Sequence, residues 1–235
     1  MKSTRNGMCT YCGIEGPITS DHIPPRNLFP ERTPYELITV PSCLKCNQSS
    51  SQDDEYFRAI LSLWEELSSS PVMAELRPKA LRGLQRSEAA RFRRSIELTS
   101  QRVQLFDPLG RVVRDSTTVG MNKARVNNVV SRITAGLLYR RFGYRLDDTM
   151  SLGSQLESEL PLTETLRGMN AILGMQEPYC KFPEIYEVRV IWDRHSDVKA
   201  SMWLHTFYEK INFISAAMPR SWAEDATHAS FVGSE

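Results

Sequence analysis

The residue types able to do chemistry crowd into one stretch, from Cys9 to Asn47. Cys9-Thr10-Tyr11-Cys12 is one CxxC pair, and Cys43-Leu44-Lys45-Cys46 is a second about thirty residues later. Between them lies Ser20-Asp21-His22-Ile23-Pro24-Pro25, and Asn47 follows the last cysteine. Two CxxC pairs at this separation have the spacing of a structural zinc site, in which four thiolates close a tetrahedron and leave no position for substrate. A Zn²⁺ held by Cys9, Cys12, Cys43 and Cys46 would therefore hold structure, not catalyse. The competing reading is two unrelated pairs or a redox couple, against which the intervening motif weighs. Asp21, His22 and Asn47 form a different set. A neutral imidazole can take a proton from water, and a carboxylate with a side-chain amide oxygen suits Mg²⁺ or a related hard cation. One such ion on a scissile phosphate, with a histidine activating water opposite it, suffices for phosphodiester hydrolysis.

In that order, Cys-x-x-Cys, Asp-His-Ile-x-Pro and Cys-x-x-Cys-Asn resemble the HNH endonuclease family in its four-cysteine, treble-clef form, over roughly residues 7–55. The resemblance implies a ββα-metal fold and metal-dependent cleavage of DNA. It implies His22 as general base, Asp21 as a ligand of a catalytic Mg²⁺ or Mn²⁺, and Asn47 as the second ligand. One departure stands out: the family usually carries a middle Asn shortly before the second CxxC. Here that segment reads Leu37-Ile38-Thr39-Val40-Pro41-Ser42, where Thr39 or Ser42 could take over its hydrogen bonding. The alternative function is a non-catalytic treble-clef zinc module that docks on nucleic acid or a protein.

The elements that must position these residues are read from periodicity. Ile18–Ile23 and Glu36–Val40 read as short strands, each stopped by proline. Cys43 to Asn47 opens a helix, and Ser51-Gln52-Asp53-Asp54 fits a fresh helix start running to about Leu67. Residues 72–84 and 87–94 read as helical. Ile96, Leu98, Val103 and Leu105 then fit strands, making 95–116 a hairpin or meander around Asp107-Pro108-Leu109-Gly110. Asn122 caps a long helix to about Phe142, with Val126, Val129, Val130, Ile133 and Leu137 as its apolar face and Gly143 as its stop. Residues 147–161 read as loop and 162–174 as helix. Alternation over 186–192, 202–208 and 211–214 reads as strands, with a turn at 193–197. The expected class is α+β: a zinc-stapled module over 1–68, then a mixed helical and antiparallel-β region over 69–235 whose polar tail, from about 219, is expected to be disordered. Cys180 reads as a small buried apolar residue. His195, His205 and His228 read as structural or solvent-facing.

The net charge of +1 hides an uneven distribution. Residues 1–70 carry six Lys/Arg against nine Asp/Glu, residues 71–145 sixteen against five, and residues 146–235 seven against fourteen. The basic middle suggests an anionic partner, most simply double-stranded DNA. Arg125 and Arg132, seven apart on one helix face, would track its phosphates. The competing reading has these arginines solvating helix faces and pairing with the acidic C-terminal part. No apolar run reaches the ~20 residues of a membrane span, and Met1-Lys2-Ser3-Thr4-Arg5-Asn6 is no secretory leader, so the expected setting is cytoplasmic. A protein partner in a phage-defence or mobile-element assembly is compatible with all of this.

Overall fold

The computed structural model describes residues 5–161, 163–192 and 200–223. His195, His228, the turn at 193–197 and the tail from 224 lie outside them. β1 (Arg5–Met8), β2 (Glu15–His22) and β3 (Thr39–Cys43) form an antiparallel sheet in the order β1-β2-β3. α1 (Leu44–Leu63) follows β3 without a loop. α2 (Pro71–Leu84) and α3 (Ala90–Thr99) precede a two-stranded ribbon, β4 (Gln101–Phe106) and β5 (Val112–Thr118). α4 (Lys123–Phe142) leads to β6 (Met150–Leu156), α5 (Glu164–Met175), β7 (Cys180–Phe182), β8 (Tyr186–Trp192), β9 (Ser201–Phe207) and β10 (Ile211–Pro219). The last strands and β6 form an antiparallel sheet in the order β6-β10-β9-β8-β7. The chain is thus α+β with antiparallel sheets.

α4 is the element on which the others rest. Asn122 caps it by accepting from the Arg125 N–H at 3.2 Å, and Gly143 ends it in the left-handed region at φ +63°. Its five expected apolar residues are all buried. They join one hydrophobic cluster that draws Ile23, Phe57 and Leu61 from the N-terminal part and Trp203, Phe207 and Phe213 from the large sheet. Phe57 of α1 meets Phe207 and Phe213 at ring centroid distances of 5.1 and 5.8 Å. Gly136 sets how closely α4 approaches the motif strand: a Cβ there would lie 2.9 Å from the Ile23 side chain.

Several elements differ from their sequence expectation, each for a physical reason. Pro41 lies inside β3, opposite Ser20; β3 is a sheet edge, where a missing N–H breaks no ladder. α1 is one helix, not two: the Cys43 thiol caps it, and the Ser51–Asp54 start signal lies mid-helix. α3 continues through Ile96 and Leu98 to Thr99, leaving Leu98 exposed at 75%. The expected loop at 147–161 contains β6, whose Met-Ser-Leu-Gly-Ser-Gln-Leu lacks β-branched residues but pairs along β10. There Ser154 shares hydrogen bonds with Ser131 of α4 at 2.8 Å and Ser215 of β10 at 2.7 Å. The β4–β5 ribbon is almost wholly exposed, with Phe106, Val112 and Val113 facing solvent, and an Arg114–Glu65 ion pair tethers it.

His205 is buried and fully engaged. Thr134 Oγ1 donates to the Val130 carbonyl at 3.0 Å, so it accepts from His205 Nε2–H at 2.9 Å, and Nδ1 accepts from the Tyr186 hydroxyl at 2.8 Å. Burial pulls the imidazole pKa down to about 3. The unfolded chain binds a proton near the ordinary value of 6.5 while the native chain does not. The stabilisation is therefore full above that value and is lost as pH falls towards 3, at up to ~1.4 kcal/mol per pH unit. Thermal melts of the wild type should fall more steeply below about pH 6 than those of His205→Gln. Parallel profiles would assign acid sensitivity to another group.

Candidate functional site

The four cysteines are brought together by short backbone devices. Gly13 N–H donates to the Cys9 carbonyl at 3.0 Å and closes the knuckle, while Thr10 N–H donates to Pro41 O at 2.9 Å and ties it to β3. Cys43 ends β3 and caps α1, accepting from Cys46 N–H at 3.4 Å. The second pair thus lies at the N-terminus of α1. The four Sγ atoms lie within 4.8 Å of one another, with Cys12 and Cys43 3.8 Å apart. A tetrahedron with Zn–S bonds of about 2.3 Å has an edge of about 3.8 Å. The four cysteines can hold a metal ion, and an all-sulfur set fits zinc. Burial raises the Cys9 thiol, but N–H groups of Cys12, Cys43 and Tyr11 outweigh it and bring the pKa down to about 6. Burial and the neighbouring thiols push Cys46 the other way.

Asp21 and His22 end β2, and Asn47 lies in the first turns of α1. Asp21 is only 6% exposed. Its Oδ2 accepts from the Tyr11 hydroxyl at 2.6 Å and lies 3.9 Å from Arg132 Nη1, leaving its second oxygen as the one a cation could use. Arg132 also donates to both carboxylate oxygens of Asp54, at 2.8 and 2.9 Å. Burial pushes Asp54 up to about 6 against the pull of Arg132. For Arg132, burial lowers the pKa, but Asp54 and Asp21 prevail and raise it. Asn47 Nδ2 donates to Thr19 Oγ1 at 3.0 Å, and Thr19 donates to the Ser42 carbonyl at 3.0 Å, so the amide is fixed with its oxygen available. His22 is half-buried opposite Thr39.

Asp21, His22 and Asn47 line one hollow of about 300 Å³, together with Asn27, Ser51 and Asp54. The structure therefore gathers Asp21, His22 and Asn47, and adds residues the sequence reading missed. Tyr11, Arg132 and Asp54 hold Asp21 in place. Asn27 contributes an Oδ1 that is buried with no hydrogen-bond partner, a further hard oxygen donor in a hollow whose donor set fits a divalent cation. A signal for Asp54 did exist: positions 47, 51 and 54 are i, i+4 and i+7 on one helix face, once α1 is read as continuous. The loop after β2 is held by two side chains. Arg26 donates to the carbonyls of Phe29, Pro30 and Glu31 at 3.3, 2.8 and 2.7 Å, and Tyr208 donates to Leu28 O at 3.0 Å. Ser42 donates to its neighbour's carbonyl, that of Cys43.

The phosphate-tracking role expected for Arg125 and Arg132 is corrected by their partners. Arg125 donates to Asp53 at 2.6 Å and to Gln52 O at 2.8 Å, and lies over the Tyr56 ring. Both arginines therefore clamp α4 to α1, and their acids come from α1 and β2, not from the C-terminal part. Cys180 is half-buried against the core, and burial raises its thiol pKa to about 12. Among the described residues no helix is long and apolar enough to cross a membrane. No protein-family model, no curated protein and no solved structure matches this chain.

Two outcomes follow for the scaffold of the site. Cys43→Ser should lose bound zinc by elemental analysis and unfold the N-terminal part, since such sites contribute roughly 10 kcal/mol or more of folding free energy; full zinc occupancy would refute the four-thiolate set. Arg132→Met leaves Asp21 and Asp54 buried without a counter-charge and should cost about 3–5 kcal/mol. Arg125→Met, in a more exposed pair, should cost about 1–2 kcal/mol. Denaturant titration of both variants checks the order.

Proposed function

We propose that this chain is a metal-dependent endonuclease of the HNH type, hydrolysing phosphodiester bonds of DNA, with a treble-clef N-terminal part held by zinc. The observation that carries this reading is the shared hollow: Asp21, His22 and Asn47 line it together, beside the four-thiolate cluster. A treble clef is supported by the order of parts, a cysteine knuckle between β1 and β2, then β3 and α1 carrying the second pair at their junction.

His22 takes the proton from a water whose oxygen attacks phosphorus, while the bond to the leaving oxygen breaks. Asp21 and Asn47 would hold a divalent ion, Mg²⁺ or Mn²⁺, which would supply positive charge against the phosphate. Tyr11 and Arg132 keep Asp21 oriented, and Thr19 sets the Asn47 amide. The four-thiolate metal, with no open position, takes no part in chemistry.

A second reading, a zinc module that binds nucleic acid or protein without cutting, is favoured by the occupied Oδ2 of Asp21 and by the absence of the middle Asn. Plasmid nicking with Mg²⁺ or Mn²⁺ separates the two. Wild type should nick, and His22→Ala, with zinc content and melting point checked, should lose at least ~100-fold in rate. Equal nicking by both proteins removes His22 as the base. Failure of wild type to cut any DNA or RNA favours the binding module.

A further inference from the structure

A second concavity opens between α1, α2 and the start of α3, enclosing about 520 Å³. Ser51 and Glu55 line both it and the His22 hollow, so the two adjoin along α1. Its charged lining is Arg58, Arg86, Arg91 and Arg125 against Glu55 alone. Arg125 is neutralised by Asp53. Arg86 and Arg91 are exposed and have no ion pair among the described residues. Arg58 is half-buried, and its Nε is sealed from solvent without a hydrogen-bond partner, a donor that folded proteins rarely leave unmet. Small residues, Ala59, Ala80 and Gly83, keep the floor open, and the rings of Tyr56 and Phe92, 4.4 Å between centroids and inclined at 51°, stand at one side.

The stripe along α1 gives this trough a direction. Asn47, Ser51, Asp54 and Arg58 are at i, i+4, i+7 and i+11, about three full turns in one line. From the amide at the hollow to the guanidinium in the trough is therefore roughly 16 Å of helix, the length of about five base steps at 3.4 Å. Guanidinium groups match phosphate oxygens in geometry as well as charge. Arginines on α1, on α3 and in the connection from α2 to α3 suit a polyanion that passes across them more than one compact anion.

We infer that this trough binds the phosphodiester backbone of duplex DNA and seats the stretch that flanks the bond presented to His22. The part about the flanking bond rests on the nuclease reading; the affinity for the backbone does not. The two are tested apart by measuring binding alone, with His22→Ala as the parent, by fluorescence anisotropy of a short DNA duplex over a range of salt without added divalent cation or chelator. Adding Arg86→Ala and Arg91→Ala should weaken binding at least ten-fold and make the salt slope shallower by about 2. The same change at Arg102 and Arg140, exposed arginines that do not line the trough, should leave both values unchanged. Equal loss in the two double variants, no loss in the first, or no duplex binding by the parent would each overturn the inference. If trough variants lose binding while wild type cuts nothing, the trough stands and the nuclease reading falls. If cutting depends on His22 but binding ignores Arg86 and Arg91, the reverse holds.

Discussion

A guanidinium that is only 12% exposed must be met by carboxylates, and Arg132 is met by two. Asp54 comes from α1 and Asp21 from β2, while Arg132 itself belongs to α4. Tyr11, in the cysteine knuckle, closes the chain of contacts by donating to Asp21. One buried positive charge thus fixes the relative placement of knuckle, motif strand, first helix and central helix. A pair of this kind adds little net stability over a well-packed apolar contact, but it strongly penalises arrangements in which a partner is missing. Its value here is register: the carboxylate of the candidate site can face the hollow in only one way.

The thiolate cluster and the hydrophobic core act on the same helix from opposite ends. Cys43 and Cys46 hold the N-terminus of α1, and Phe57 and Leu61 anchor its later turns in the large cluster. Between these two anchors lie Asn47, Ser51 and Asp54, the residues that line the hollow. A helix held at both ends presents its middle face with little freedom, which is what positioned polar groups require. Gly136 extends the same logic to α4, since close contact with Ile23 sets the depth at which the central helix lies behind the motif.

Much of this was legible in the sequence where independent signals agreed. α4 had a capping Asn122, an apolar face and a stop at Gly143, and all three point to one helix. The strands β8 to β10 alternate clearly. The four cysteines and the Asp21-His22 and Asn47 motifs were visible from spacing. What could not be read was what meets what. Helical periodicity places Arg125 and Arg132 on one face but not against Asp53 and Asp54, acids 72 and 78 positions earlier. α1 looked divided because a thiol is an unusual cap and Ser51-x-x-Asp54 imitates a start. β6 was hidden because its strand state comes from pairing with β10, not from its own residues.

The β4–β5 ribbon stands apart from this tightly coupled frame. Two strands without a packed face are marginal by themselves, and the ribbon's attachment to the frame includes a surface ion pair from Arg114 to Glu65. Its amides therefore exchange with solvent through openings far cheaper than those that expose the core. Insertions at the tip, around Leu109 and Gly110, leave the buried charge chain and the thiolate cluster untouched. Among the described residues the ribbon is thus a part where length and composition can drift at little cost, while α4 stays constrained residue by residue.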